Sequence, residues 1–289
     1  MKKALKFFIL TILILGSFYT TDQIVTIMKN RDPIMIEINK LKDEYYEEAF
    51  NAYLISNNQV IPGYNGIKID VNKSYYVMKE KGKFDVDLLV LKETTPEKTI
   101  WNYKEKIIKE GNSKKEGASI IFYLNENEEI EEHFKLLIKY DLKATFFISK
   151  NWLNKNKVDA MRLYINGHEL EINATKKEEI VSTKNDINTL TMNKPLYVSN
   201  EKKEYDVDFL KTIDNAKTKF VLPTVFLKEL SMLSNNSLKL ELIKKISAGV
   251  IIHVPNDEKL DTYLNVIKEV AKVKKLKIMP LKEHLSSNR

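Results

Sequence analysis

The sequence of 289 residues contains no cysteine, which excludes disulfide bonds, thiolate nucleophiles, cysteine-based zinc sites and lipid-modified cysteine anchors. Glycine and proline are scarce, at 8 and 7 residues, so long flexible linkers are not expected. Arginine-rich stripes and RNA-binding signatures are missing as well, so we expect no nucleic-acid partner. With 43% hydrophobic and 30% charged residues, the composition is that of a folded globular chain.

Charge of both signs is plentiful, and 47 basic against 40 acidic residues give a net charge of +7. Lys2, Lys3 and Lys6 supply three of these excess positive charges before the first apolar run. The remaining basic excess is mild. It suits an anionic membrane or cell-envelope surface better than a nucleic acid.

The first residues have the layout of a targeting segment. The three lysines precede an apolar run over residues 7–15 that continues to Tyr19, and Phe18 and Tyr19 are bulky where a cleavage site needs small side chains. We therefore expect residues 1–30 to form an uncleaved signal anchor that crosses the cell membrane once. The positive head predicts a cytoplasmic N-terminus and an extracellular C-terminal domain. A buried N-terminal helix is the alternative.

Residues 31–114 are predicted to form a leader region made of a helix and a small α/β segment. Pro33 interrupts one helical pattern, and residues 36–54 then carry apolar side chains at helical spacing. Turn residues follow at 62–66, then a short alternating strand at 67–71 and a helix at 73–81.

Strands and helices alternate from residue 117 onward, which predicts a parallel sheet or a barrel over residues 115–289. Residues 176–217 are polar, and their pattern favours no element. The predicted strands cover residues 118–124, 143–149, 170–172, 219–226, 248–255 and 276–281, with helices near 130–138, 152–165, 238–246 and 260–273.

Two motifs in this part resemble the polysaccharide deacetylase family, the NodB-homology domain of carbohydrate esterase family 4. They are Lys-Ala-Thr-Phe-Phe at residues 143–147 and Gly-His-Glu at residues 167–169, at the family's separation. The resemblance covers roughly residues 115–285. It implies an α/β fold, a distorted, incomplete (β/α) barrel whose site lies at the carboxyl ends of the strands.

The resemblance also implies a metal site, which this sequence does not keep. Family members bind zinc or a similar ion through one Asp and two His, and they use another Asp as general base. Here Tyr123 replaces the base and Leu124 the metal-binding Asp, while Asn173 and Lys177 stand at the two His positions. We therefore expect no metal ligand, no cofactor and no hydrolysis.

Other family positions remain in altered form. His253 matches the family's acidic His, which protonates the leaving amine, although without metal or base a hydrogen-bonded histidine at a strand end is the favoured interpretation. Residues 194–197 are read as a remnant of the Arg-Pro-Pro-Tyr segment that lines the cleft. Lys194 and Tyr197 are thus candidates for the glycan cleft. Trp152 is a further candidate because it lies near a strand end, and the two aromatic rings are expected to stack on sugar.

Glu169, Glu171 and His168 lie close together in the sequence and offer a possible substitute ion site. On a regular strand the two glutamates share a face and His168 points to the other, so an exposed acidic edge is favoured over a metal site. His133 and His284 are expected to be solvated on charged helical faces.

The leading hypothesis is a membrane-anchored, catalytically inactive deacetylase-like protein that binds cell-envelope glycan or scaffolds its modifying enzymes. One alternative is an active metal-dependent N-deacetylase of cell-wall polysaccharide or peptidoglycan with a non-standard ligand set. Another is a structural partner of an envelope protein, with the helix over residues 36–54 as the contact.

Overall fold

A computed structural model describes the backbone of residues 2–289, and the side chains of these residues except 2–6, 9 and 22. The chain forms two units. One holds the residues up to Glu48 together with Gly66–Thr94, and the other holds Ala49–Asn65 together with Thr95–Arg289. The predicted leader region, residues 31–114, is thus divided between the two units.

The elements follow one another along the chain, with helices and strands alternating after residue 116. The strands are β1 Tyr53–Ser56, β2 Gln59–Ile61, β3 Gly66–Ile69, β4 Leu91–Thr94, β5 Ile107–Ile108, β6 Gly117–Leu124, β7 Thr145–Ile148, β8 Glu169–Asn173, β9 Tyr197–Ser199, β10 Lys219–Val221, β11 Val225–Phe226, β12 Ile251–His253 and β13 Lys277–Ile278. The helices are α1 Lys2–Arg31, α2 Pro33–Lys40, α3 Val71–Lys81, α4 Glu131–Tyr140, α5 Lys150–Lys155, α6 Lys157–Ile165, α7 Lys177–Thr191, α8 Val207–Asn215, α9 Asn235–Lys245, α10 Leu260–Val273 and α11 Leu281–Leu285.

The first unit begins with the apolar helix α1. Within it, Leu10–Arg31 spans 22 residues with a mean hydropathy of 1.3, which is long and apolar enough to cross a membrane. A membrane anchor and a signal sequence share this length and composition. The side chains of the predicted basic head, Lys2, Lys3 and Lys6, lie outside the described residues.

Helix α2 is a separate helix because its start is well capped. The carboxylate of Asp32 accepts the N–H of Ile34 at 3.0 Å, and Pro33 occupies the first turn. The predicted helix over residues 36–54 is wrong beyond Lys40. The backbone of Glu47 pairs instead with Ile67 in an antiparallel bridge, and that of Phe50 pairs with Tyr64, so tertiary pairing overrides the helical spacing.

The rest of the first unit confirms the predicted α/β segment. Strands β3 and β4 form an antiparallel pair, and α3 lies between them in sequence. Asp70 caps α3 by accepting the N–H of Lys73 at 3.2 Å, and Gly82 ends it with a φ of 71°. A small core of Ile38, Ile69 and Met78 holds this unit together.

The second unit is built on one curled, mixed sheet, a half-barrel. Its strand order is β1-β2-β5-β10-β9-β8-β7-β6-β12-β11, with β13 added beside β6. The neighbours from β2 to β11 pair in parallel, and only β1 pairs antiparallel with β2. The predicted incomplete (β/α) barrel is therefore confirmed.

The two faces of this sheet have different partners. Alternate residues such as Phe122, Phe146 and Ile172 belong to the large core that includes the helices. We call the other face the inner face. Its residues on the central strands are Ser119, Ile121, Tyr123, Thr145, Phe147, Glu169, Glu171, Asn173, Tyr197, Ser199, Lys219, Val221, Ile251 and His253.

The polar stretch at residues 176–217 contains α7, β9 and α8, which the sequence pattern did not predict. The buried residues of α7 are Ile180, Thr183, Ile187 and Thr191, at helical spacing. Two of these four are threonines, so a pattern that counts only apolar residues misses the helix. The predicted helix over residues 152–165 is divided into α5 and α6 at Asn156.

Candidate functional site

The candidate site lies at the carboxyl ends of the inner-face strands. Tyr123, Asn173, Ser199 and His253 occupy the last inner-face positions of β6, β8, β9 and β12. All four are buried, with exposures of 5%, 6%, 0% and 3%. The four side chains are thus packed in the interior of this end of the half-barrel and do not face solvent.

Tyr123 stands where the family resemblance places the general base. Its hydroxyl lies 2.7 Å from Ser199 Oγ, and Ser199 Oγ donates to the carbonyl of Val221 at 2.6 Å. The single Ser199 proton is thus used, so Tyr123 donates to Ser199. Burial raises the pKa of Tyr123 above its ordinary value, against the smaller effect of this hydrogen bond. A neutral, hydrogen-bonded phenol cannot act as a base at pH 7.

Leu124 stands where the metal-binding carboxylate is implied. Its side chain is fully buried in the core that includes the helices, on the side of the sheet opposite to Tyr123. The position is therefore both apolar and turned away from the inner face.

The two positions of the missing histidines have different polar partners. Asn173 donates from Nδ2 to Asn125 Oδ1 at 3.1 Å. Lys177 begins α7, and its ammonium lies 3.8 Å from Asp208 with a partly exposed side chain. An amide in an Asn–Asn pair and a lysine facing an aspartate do not fit a zinc ion.

His253 is packed among aromatic rings. Its ring centroid lies 4.8 Å from that of Tyr123 and 5.6 Å from that of Phe226. Burial, together with the smaller effect of the charges of Lys203 and Lys228, lowers the pKa of His253 to about 4. The ring is thus neutral at pH 7, whereas a general acid must carry its proton at the working pH.

Lys203 and Phe226 also belong to this end of the sheet, and the sequence analysis did not identify them. The Lys203 ammonium lies 3.4 Å from the centroid of the Phe226 ring and 3.1 Å from Glu229. No motif connects these residues, so only the tertiary structure brings them together.

The prediction that the rings of Trp152 and Tyr197 stack on sugar at this end of the sheet is wrong. Trp152 has no exposed surface, and its indole Nε1 donates to the carbonyl of Glu128 at 2.8 Å. Tyr197 is 2% exposed and begins β9, at the amino end of the sheet. Lys194 is exposed but precedes β9, so it too lies on the amino side, away from His253.

The predicted exposed acidic edge is also wrong, because Glu169 and Glu171 are buried at 7% and 0% exposure. Glu169 Oε2 accepts from Thr145 Oγ1 at 2.7 Å and from the N–H of Lys282 at 3.1 Å. Glu171 Oε2 accepts from the N–H of Leu196 at 2.8 Å and that of Tyr197 at 2.6 Å. Both carboxyl groups hold the backbone of the amino end in place.

These two carboxyl groups share one environment. Burial raises the pKa of Glu171 well above its ordinary value, and the charge of Glu169 raises it further, while Lys282 at 3.5 Å opposes the rise. His168 lies on the other side of the strand, where its ring contacts Phe146 and its Nδ1 accepts the N–H of Ala144. Among the side chains that the structure describes, no group of three His, Asp or Glu could hold a metal ion.

His133 and His284 were expected to be solvated, but both are buried, at 1% and 0% exposure. The His133 ring lies edge-on against Phe122, with the centroids 4.7 Å apart. His284 Nδ1 lies 2.8 Å from Ser119 Oγ. Each histidine lies on the buried side of a short helix and follows a glutamate in the sequence, Glu132 or Glu283, so the local sequence does not reveal its burial.

Comparison with known proteins supports the resemblance that the motifs indicated. Residues 111–221 match the model of the polysaccharide deacetylase family. The uncharacterized protein YlxY of Bacillus subtilis (strain 168) is 33% identical over 149 residues, which cover 50% of this chain and 46% of that protein. This chain therefore matches slightly less than half the length of that relative.

Solved structures share the fold over a larger part of the chain. Wild-type BA3943 from Bacillus anthracis, described as a CE4 family pseudoenzyme, has a TM-score of 0.68 at 23% identity, covering 90% of this chain and 97% of that one. A BA3943 mutant with restored enzymatic activity also has a TM-score of 0.68 at 23% identity, covering 89% and 100%. The Bc1960 peptidoglycan N-acetylglucosamine deacetylase has a TM-score of 0.55 at 18% identity, covering 63% and 95%.

Proposed function

We propose that this chain is a non-catalytic, polysaccharide deacetylase-like protein that is anchored outside the cell membrane and binds or scaffolds cell-envelope glycan. The observation that carries the proposal is the hydrogen bond from Tyr123 to Ser199, which fills the position of the general base with a neutral, buried side chain.

Hydrolysis of an acetamide by a metal site needs a bound water, an ion that acidifies it and a base that takes its proton. This chain offers Tyr123, Leu124, Asn173 and Lys177 at the corresponding positions. Leu124 lies in the core, and Lys177 carries a positive charge that repels a dication. These features favour inactivity over an active deacetylase with a different ligand set.

The envelope location and the glycan rest on other observations. Helix α1 is long enough to span a membrane, and the basic residues at its start favour a cytoplasmic N-terminus. The fold is shared with a protein described as a pseudoenzyme and with a peptidoglycan deacetylase. A glycan of the cell envelope is the ligand class that agrees with this likeness and with the net positive charge.

Metal content and hydrolysis test the inactive part of the proposal. The full-length chain in a neutral detergent is titrated with Zn²⁺ by calorimetry and then incubated with chitotetraose while released acetate is measured. We expect neither stoichiometric zinc binding nor acetate release. The matched variant places the family's residues at the four altered positions, with Tyr123→Asp, Leu124→Asp, Asn173→His and Lys177→His. One tightly held zinc per wild-type chain, together with acetate release, would establish the active alternative.

Glycan binding is tested separately by co-sedimentation with purified, insoluble peptidoglycan. We expect the full-length chain to pellet with the polymer and to remain in solution without it. A folded chain that stays in the supernatant would remove the glycan from the proposal and favour the structural-partner alternative.

A further inference from the structure

Two adjoining hollows lie at the amino end of the half-barrel, the end opposite to Tyr123 and His253. Their volumes are about 410 Å³ and 190 Å³, and they share Trp101 and Leu196 in their walls. We call these two hollows together the amino-end groove. Lys104 and Lys217 line the larger hollow, and Lys282 lines the smaller one.

Trp101 is the exposed aromatic surface of this groove. The chain has two tryptophans, and Trp101 is 43% exposed whereas Trp152 is fully buried. Trp101 lies in a 3₁₀ turn, Ile100–Asn102. The N–H of Thr99, the residue before this turn, donates to Asn102 Oδ1 at 2.8 Å and fixes the turn. An exposed indole on a fixed turn offers a flat apolar face at low entropic cost.

The floor beside Trp101 is a buried ion pair. Lys219 is 2% exposed, lies 2.5 Å from Asp214, and donates to the carbonyl of Tyr103 at 2.6 Å. Its ammonium is 6.0 Å from the Trp101 ring centroid. The other carboxylate oxygen of Asp214 accepts the N–H of Glu105. Asp214 is thus fully engaged, so it leaves no free negative charge in the groove.

The remaining charges around the groove are positive. Lys104 and Lys217 are exposed, and neither forms an ion pair within the described part of the chain. Lys184 donates to the carbonyls of Ala216 and Lys217 at 2.6 Å and 3.2 Å, next to the larger hollow. Burial lowers the pKa of Lys184, the charge of Glu171 raises it, and the charges of Lys194, Lys217 and Lys282 lower it.

We propose that the amino-end groove binds an anionic polysaccharide, with a sugar ring stacked on Trp101 and its carboxylate or phosphate groups facing Lys104 and Lys217. A simple anion would leave the exposed indole without a contact. A neutral glycan would leave the unpaired lysines without an opposite charge. The inference rests on the proposed function and adds to it the place and charge of the glycan.

Tryptophan fluorescence reports on this groove directly. In the full-length Trp152→Phe variant, Trp101 is the only tryptophan left. We expect saturable quenching or a spectral shift on titration with tetragalacturonate, and binding about tenfold weaker for the neutral chitotetraose, equal to about 1.4 kcal/mol. Raising the salt concentration is expected to weaken the binding of tetragalacturonate and to leave the binding of chitotetraose unchanged. Calorimetry on the wild-type chain gives the same affinities without the substitution in the core.

Matched variants assign the ligand to the groove. By calorimetry, Trp101→Ala and the pair Lys104→Gln/Lys217→Gln are each expected to weaken tetragalacturonate binding about tenfold or more. The control pair Lys135→Gln/Lys202→Gln removes the same charge from two exposed lysines elsewhere on the second unit and is expected to bind like wild type. Unchanged affinity in both groove variants, or an equal loss in the control pair, would overturn the proposal. Thymidine tetranucleotide binding as tight as tetragalacturonate binding would also overturn it.

Co-sedimentation with peptidoglycan separates this inference from the proposed function. If wild type and both groove variants pellet equally, the groove is not the binding site while glycan binding stands. If the wild-type chain itself fails to pellet, the proposal of glycan binding is wrong. Selective loss of pelleting in the groove variants supports both.

Discussion

The hydroxyls of Tyr123 on β6 and Ser199 on β9 lie 2.7 Å apart, although two strands, β7 and β8, separate β6 from β9 in the sheet. A flat sheet would hold these strands about 14 Å apart, at about 4.8 Å per strand. The contact exists because the sheet curls, and it draws the carboxyl ends of the half-barrel together where the resemblance implies an open metal site.

Removing this contact is expected to weaken the fold without changing any binding. In Tyr123→Phe, Ser199 still donates to Val221, so only one hydrogen bond is lost and the free energy of unfolding falls by about 1 kcal/mol. Urea unfolding followed by circular dichroism measures the change. Tyr53→Phe, at a residue that is 43% exposed, is the control and is expected to leave stability unaltered. An unchanged Tyr123→Phe variant would mean that the hydrogen bond contributes nothing.

The two tryptophans are expected to differ sharply in stability. Trp152→Ala empties a fully buried site and leaves the carbonyl of Glu128 without its donor, so we expect a loss of about 3–5 kcal/mol. Trp101→Ala changes a 43% exposed side chain, and we expect a loss below about 1 kcal/mol. Thermal unfolding of the two variants side by side tests this, and equal losses would contradict the burial assigned to them.

The buried carboxyl pair predicts a pH-dependent effect of Glu171→Gln. The folded-state pKa of Glu171 is raised above its ordinary value of 4.5. The contribution of Glu171 to the free energy of unfolding is therefore full below pH 4.5 and is lost as the pH rises through the raised pKa. Gln mimics the protonated form and accepts the same two N–H groups. Relative to wild type, the variant should therefore gain stability as the pH rises above 4.5, by at most about 1.4 kcal/mol per pH unit.

Urea unfolding at pH 4.5, 6 and 8 measures this difference. Glu126→Gln is the matched control, because the Glu126 carboxylate is exposed and paired with Lys155 at 2.6 Å. That variant is expected to show no gain at high pH. A constant difference between Glu171→Gln and wild type across the range would show that Glu171 titrates normally.

His284 is expected to make the protein sensitive to acid. Burial lowers its pKa from the ordinary 6.5 to about 3, so between these values the unfolded chain takes up a proton that the folded chain refuses. Stability therefore falls as the pH falls below 6.5. In His284→Asn, the slope of the free energy of unfolding against pH should decrease by up to about 1.4 kcal/mol per pH unit. Urea unfolding between pH 4 and 7 gives both slopes, and identical slopes would contradict the prediction.

The absence of cysteine makes the predicted membrane topology simple to test. Met232 is 95% exposed, and Met232→Cys should react with a membrane-impermeant maleimide on intact cells. Lys3→Cys should react only after permeabilisation, and the wild-type chain should not react at all. Labelling of Lys3→Cys from outside, or a mature chain that lacks its N-terminal segment by mass spectrometry, would contradict an uncleaved anchor.

Much of the fold follows from local pattern. Continuous apolar runs such as residues 118–124 belong to strands buried on both faces, and β6 is buried at every position. The predictions fail where the local pattern does not show which distant segment of the chain pairs with it. Residues 41–54 have helical spacing, yet Glu47 and Phe50 pair with backbone that lies 14 or more residues further along the chain.

For the candidate site, the residue types alone show that the ligands are missing, because a leucine or a lysine cannot act as a carboxylate or an imidazole in any fold. Which end of the sheet each remaining residue occupies follows from the folded chain and not from its local sequence. Lys194 precedes β9 and Tyr197 begins it, so both lie at its amino end, and Trp152 faces the core. Exposure and position along a strand depend on packing between distant segments, which is why Trp101, unmarked by any motif, is the exposed ring instead.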